Sequence, residues 1–96
     1  MIPKNRPPIH PGEILQELFL DPMGITQAEL AAHLGWTKTR VNQIIRGKRA
    51  VTPETALTFA DVFGTSTEVW LDMQRDYDVW QAMQRHRKQK PLRKAA

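Results

Sequence analysis

Cysteine is missing altogether from these 96 residues. That excludes a disulfide framework, cysteine-ligated zinc and thiol catalysis, and it fits a reducing compartment. Long apolar runs are missing too. Nothing approaches the ~20 residues that a membrane span needs, and the opening MIPKNRPPIHPG has no apolar core of a secretory signal. A soluble, cytoplasmic chain with no membrane partner is expected. His10, His33 and His86 have no His, Cys or carboxylate neighbour at metal-ligand spacing, and neither a glycine-rich phosphate loop nor a nucleophile elbow occurs. Glu68, Asp72 and Asp76 repeat at four-residue spacing, but surface acids on an amphipathic helix are common. The expectation is therefore no metal, no cofactor and no enzyme.

One further absence is local. From Thr37 to Ala50 there is no acid at all, while Lys38, Arg40, Arg46, Lys48 and Arg49 give that stretch a charge of +5. The overall charge of +4 is thus segregated: residues 1–36 carry −2, residues 51–84 carry −5, and the tail from Arg85 carries +6. Cations concentrated on one segment, with acids elsewhere, favour a polyanion as partner.

The acid-free segment reads as a helix. Val41, Ile44 and Ile45 recur at the spacing of one helix face. Thr37 is placed to cap its start and Gly47 to end it in the left-handed conformation. The opposite stripe is Thr39, Asn42, Gln43 and Arg46, with Lys38 and Arg40 in the first turn. Asn and Gln match base edges, while Arg and Lys favour guanine or phosphate. A helix dipole favours an acid in the first turn; Glu29 and Glu68 stand there in two other helices, and this one has Arg40. An amide-rich, cationic helix start suits a phosphate-bearing partner.

The stretch before it, ITQAELAAHLG, has the clearest local signature. Thr26 and Glu29 form a capping box, and Ile25 staples onto Leu30. Leu30 and Leu34 face the core, Ala31 is small enough for a close crossing, Gly35 suits a positive φ, and Trp36 covers the corner. Together the two segments make a helix-turn-helix over 26–46.

The remaining helices complete an all-α, five-helix domain over residues 1–84. Residues 1–11, with four prolines, form an extended arm. A first helix is expected from Pro11 to Phe19, burying Ile14, Leu15, Leu18 and Phe19 and stopped by Pro22 and Gly24. After the loop cations Lys48 and Arg49, which suit phosphate, Thr52 caps and Pro53 opens a helix. Its core face is read as Ala56, Leu57, Ala60 and Phe63, and Gly64 closes it. Thr65 or Ser66 then caps an extended C-terminal helix over 66–84. Val69, Trp70 and Met73 are able to finish the core, while Tyr77, Trp80 and Met83 prolong the stripe for two turns. The stripe Trp70, Met73, Tyr77, Trp80 and Met83 is the candidate dimer or partner interface, because aromatics and Met are enriched at interface cores; folding back over the first helix is the alternative. Residues 85–96 lack an apolar pattern and read as a disordered basic tail.

With these residues in hand, the chain resembles a known family. TQAELAAHLG followed by TKTRVNQIIRGKR looks like the phage-repressor-like (XRE) class. More selectively, HPGEIL at His10 to Leu15, RVNQIIRGKRAVTPETAL at Arg40 to Leu57 and LTFADVFGTSTEVWLDMQRDYDVW at Leu57 to Trp80 resemble HigA-type antitoxins of bacterial toxin-antitoxin modules. The resemblance implies a homodimer on a palindromic operator in its own promoter, on double-stranded DNA at the nucleoid, and neutralisation of a small RelE-like toxin that cleaves messenger RNA. It also implies base reading by Lys38, Thr39 and Gln43, beside Asn42 from the exposed stripe, and backbone contact by Gln27, Arg40, Arg46, Lys48 and Arg49, with Thr37 beside them. Thr67 stands where family members often have a proline, and the basic tail lies outside the family's pattern. A stand-alone repressor without a toxin, or an interaction module without DNA binding, are the alternatives.

Overall fold

The computed structural model of the chain describes residues 7–93. The part of the expected arm over 1–6 and the end of the tail over 94–96 lie outside the described residues. Among the described residues there are five helices and no strand.

Helix α1 runs through Pro11–Ile14, a wider π-helical stretch Leu15–Leu20, and a closing turn Asp21–Met23. It starts there because Pro11 presets the first helical φ, while the preceding residue caps it: His10 Nδ1 accepts the Gly12 N–H at 2.9 Å. In the middle the Asp21 N–H reaches back five residues to the Gln16 carbonyl. A widened turn aligns residues five apart, so Leu15 and Leu20 are both fully buried, whereas Leu18, expected inward, is 61 % exposed. Nor does the helix end at Phe19. Pro22 lies in the closing stretch, directly after the widened turn, and Gly24 at φ +67° ends the helix.

Helix α2, Gln27–Leu34, carries the expected capping box: Thr26 Oγ1 accepts the Glu29 N–H at 3.0 Å, and Glu29 Oε1 accepts the Thr26 N–H at 3.4 Å. Gly35 ends it at φ +70°, and the Trp36 N–H closes the turn on the Ala31 carbonyl at 2.9 Å. Helix α3, Lys38–Ile45, follows after Thr37, whose Oγ1 accepts the Arg40 N–H at 3.1 Å. Val41 and Ile44 are fully buried, and Leu30 and Ala31 of α2 lie in the same core.

Helix α4, Pro53–Phe63, is capped by Thr52, and helix α5, Thr67–Arg85, by Ser66 rather than Thr65. The core face of α4 is turned from the one expected: Thr55, Ala56 and Phe59 are buried, and Leu57 is 57 % exposed. Phe59 fills the centre, its ring 5.0 Å from Trp70 in an edge-on arrangement, with Phe19 5.6 Å from Trp70 on another side. Trp70 is wholly buried and its indole N–H donates to Thr65 Oγ1 at 2.6 Å. This satisfies the one polar atom that such a side chain takes inside. Thr65 is thus a half-buried acceptor rather than a cap.

Two corrections to the expected C-terminal stripe follow. Trp70 belongs to the core and offers nothing to a partner, and Val69, expected inward, is exposed. Inward instead points Gln74, which no apolar pattern would flag. Its Oε1 accepts the Val51 N–H at 2.8 Å and its Nε2 donates to Asp78 at 2.8 Å. Gln74 thereby ties the loop after α3 to α5 and satisfies a buried backbone donor.

Candidate nucleic-acid interface

The sequence places α3, and the neighbouring helices hold it from behind. Gly12 of α1 lies directly on the backbone of α3's last turn: a Cβ built at Gly12 would fall on the Ile44 carbonyl. The His10 ring lies under Gly47, which turns the chain at φ +74° just past α3, and packs edge-on against Tyr77 at 4.8 Å. His10, Pro11 and Gly12 are all buried. A cap, a φ lock and an absent side chain together fix where α3 ends. Burial pushes the His10 imidazole below its ordinary value of 6.5, against the opposing pull of the Asp78 carboxylate. As Nδ1 accepts a hydrogen bond, the neutral ring is the form that fits.

With its back fixed, α3 presents its other side outward. Lys38, Thr39 and Arg46 are exposed, as are the loop cations Lys48 and Arg49, while Arg40, Asn42 and Gln43 are half-buried. The Arg40 guanidinium lies 3.7 Å above the Trp36 ring, a cation–π contact that holds it against the turn of the motif. Among the described residues the ion pairs are those of Arg75 with Asp72 and Asp76. The five cations around α3 therefore have no carboxylate partner among them, and their field is not neutralised locally.

The amides of this face are already engaged. Asn42 Nδ2 donates to Gln27 Oε1 at 3.1 Å, Gln27 Nε2 donates to Gln16 Oε1 at 3.2 Å, and Gln16 Nε2 donates to an Asp21 carboxylate oxygen. This directed chain links α3, α2 and α1, and it brings Gln27 beside Asn42. The other amide of the face, Gln43, accepts two hydrogen bonds from the Arg49 guanidinium, at 2.9 and 3.1 Å from Nη2 and Nε. The Lys48 and Arg49 N–H groups both close on the Gln43 carbonyl, at 2.8 and 3.1 Å, so the loop folds back over the end of α3.

All ten residues read from the sequence as DNA contacts, Gln27, Thr37, Lys38, Thr39, Arg40, Asn42, Gln43, Arg46, Lys48 and Arg49, thus lie on α3, its flanking turns, or the adjoining start of α2. The expected partner stripe is not brought together as one surface. Trp70 is inside, Met73 packs on the core, Tyr77 packs on His10, and Met83 stands 51 % exposed at the far end of α5 beside Val79. Gln16, Asp21 and Gln74 were missed. Their only signal is polarity at positions whose surroundings the sequence does not display.

Comparison with known proteins bears on the helix-turn-helix fold and its family. The Helix-turn-helix family matches residues 15–70. Virulence-associated protein I of Dichelobacter nodosus is 45% identical over 78 residues, 81% of this chain and 72% of that protein. Antitoxin HigA-1 of Vibrio cholerae is 35% identical over 92% of this chain and 87% of its own length. Among solved structures, the Pseudomonas aeruginosa antitoxin HigA with the higBA promoter superimposes with a TM-score of 0.79 at 34% identity, covering 88% of this chain and 98% of that one. The chain belongs to the XRE-type helix-turn-helix family, among the relatives of the HigA antitoxins, a family of regulators and not of enzymes.

Proposed function

We propose that this chain is a transcriptional repressor that binds a palindromic operator as a homodimer and serves as the antitoxin of a HigBA-type module, neutralising a small RelE-like toxin. The observation that carries the DNA part is the outward side of α3: five cations without a local carboxylate among the described residues, around a helix start that carries no acid. A relative of the same fold was solved with its promoter. In this reading Lys38, Thr39, Asn42 and Gln43 read bases. Gln27, Thr37, Arg40, Arg46, Lys48 and Arg49 hold the phosphate backbone, Arg40 from its stacked position on Trp36. Residues 1–84 act as one DNA-binding unit and 85–96 as a separate basic tail. The dimer or toxin surface lies on the outer half of α5, where Val79 and Met83 are exposed beside half-buried Trp80. Two recognition helices of a dimer would enter successive major grooves about 34 Å apart.

A salt titration of operator binding tests the DNA part. Each phosphate neutralised by a cation contributes a log–log slope of about −0.9, so the four cationic backbone contacts per protomer, Arg40, Arg46, Lys48 and Arg49, predict a steep fall in affinity with salt. Weak binding that is flat with salt would refute it. Co-expression with the product of an adjacent small basic reading frame tests the antitoxin part: a stable complex that relieves growth arrest is expected. A chain that represses its promoter but rescues no such toxin is a stand-alone repressor.

A further inference from the structure

Gln43 reaches the groove side of α3 with its amide already oriented. A free glutamine has one acceptor and two donors to offer, and its familiar two-bond pairing is with adenine, accepting from N6 and donating to N7. Here the acceptor half is taken. Both Arg49 hydrogen bonds end on Gln43 Oε1, and a guanidinium has donors only, so the amide cannot turn over without placing its NH2 against an NH2. The clamp is reinforced by the backbone, because the Arg49 N–H closes on the Gln43 carbonyl at 3.1 Å. What remains for a base is the Nε2 group with its two N–H bonds. Arg49 keeps three of its five N–H donors for phosphate, so this role does not compete with backbone contact.

We propose that Arg49 is a specificity-determining positioning residue: by holding Gln43 Oε1 it turns Gln43 into a donor-only reader that selects guanine in place of adenine. Guanine offers two major-groove acceptors, N7 and O6. Adenine offers one acceptor beside an N6 amino group, which a donor-only side chain leaves unmatched. The inference rests on the DNA-binding reading above and adds to it which base the amide prefers and what fixes that preference.

The test is selection of preferred sites by the full-length protein from a pool of randomised duplexes, followed by anisotropy titrations of single-base variants of the selected duplex. Gln43→Ala identifies the position that residue 43 reads, because only there does discrimination collapse. Wild type is expected to prefer guanine over adenine at that position by about tenfold. Arg49→Met, which keeps a long side chain without donors, is expected to move the preference there towards adenine, and Arg49→Lys, which restores a donor to Oε1, to return it to guanine. Thermal melts of each variant confirm folding. If Arg49→Met weakens every duplex by one common factor and leaves the base ranking unchanged, Arg49 is a phosphate contact only and the proposal fails. Adenine preference in the wild type also overturns it while leaving the DNA-binding reading intact, whereas wild type without any site preference overturns both.

Discussion

Helices α2 and α3 are twins in outline: eight residues each, a threonine cap, and a left-handed glycine close after the last turn. They differ in the first turn. In α2 the helix start is closed by its own chain, since Glu29 answers the Thr26 cap and sets a carboxylate against the positive end of the dipole. In α3 Thr37 caps alone, Lys38 and Arg40 occupy the turn, and no acid does. One helix satisfies its own end, and the other is left open to an anion from outside. The division of labour in this motif is thus written in four residues after each cap. The two helices differ also behind: α3 is seated on Gly12, with backbone against backbone.

Gly12→Ala tests that seat and has the largest expected effect. A methyl group there overlaps the Ile44 carbonyl, and as backbone cannot step aside like a side chain, a loss of about 3 kcal/mol or more is expected in urea unfolding, beyond most overpacked sites. A variant with wild-type stability would show that α1 and α3 are not in register as described. The two caps should then separate. Thr26→Ala is expected to cost about 1 kcal/mol or somewhat more, since it also removes the partner of Glu29, and Thr37→Ala less than that. Equal losses would mean that the box adds nothing.

Lys38→Glu gives the first turn of α3 an acid, which α2 has in Glu29 and α3 lacks. It should raise the stability of the free protein by about 0.3–1 kcal/mol while lowering operator affinity, so melting temperature and affinity move in opposite directions. The smallest effect is confined to acid. The folded protein holds His10 neutral, so the unfolded chain takes up its proton first as pH falls below 6.5. His10 therefore supports stability fully above that pH and progressively less below it. His10→Asn, which retains a capping side chain, should flatten that part of the stability–pH curve in melts between about pH 7 and pH 5.

The α2–α3 pair was legible because its signals are local. Thr26, Glu29, Gly35 and Thr37 act on backbone within four residues, and the structure reproduces each of them. The helix faces of α1 and α4 were legible in part: Ile14, Leu15, Phe19, Ala56 and Phe63 pack in or against the core as expected, whereas two leucines do not. Leu18 and Leu57 are apolar residues at acceptable helical positions, but Leu20 and Phe59 take the interior, in α1 because of a widened turn and in α4 because facing Trp70 sets the rotation of the helix. Neither cause is visible in periodicity. In the site, the stretch of cations was plain from the absence of acids, whereas the partners of Asn42 and Gln43 depend on side chains from three other segments. Gly12 stood in the HPGEIL motif, but only the approach of Ile44 explains why a side chain is missing there.

The widened turn of α1 also bears on how such chains drift in length. Leu15 and Leu20 anchor the helix from five residues apart across one wide turn. Remove a residue between them and they become four apart, the spacing that an ordinary α-helix stacks on one side. The HPG corner at one end and Gly24 at the other would keep their places. Deletion of one residue between Leu15 and Leu20 is therefore expected to turn the wide turn into an ordinary α-helical one with both leucines still facing inward.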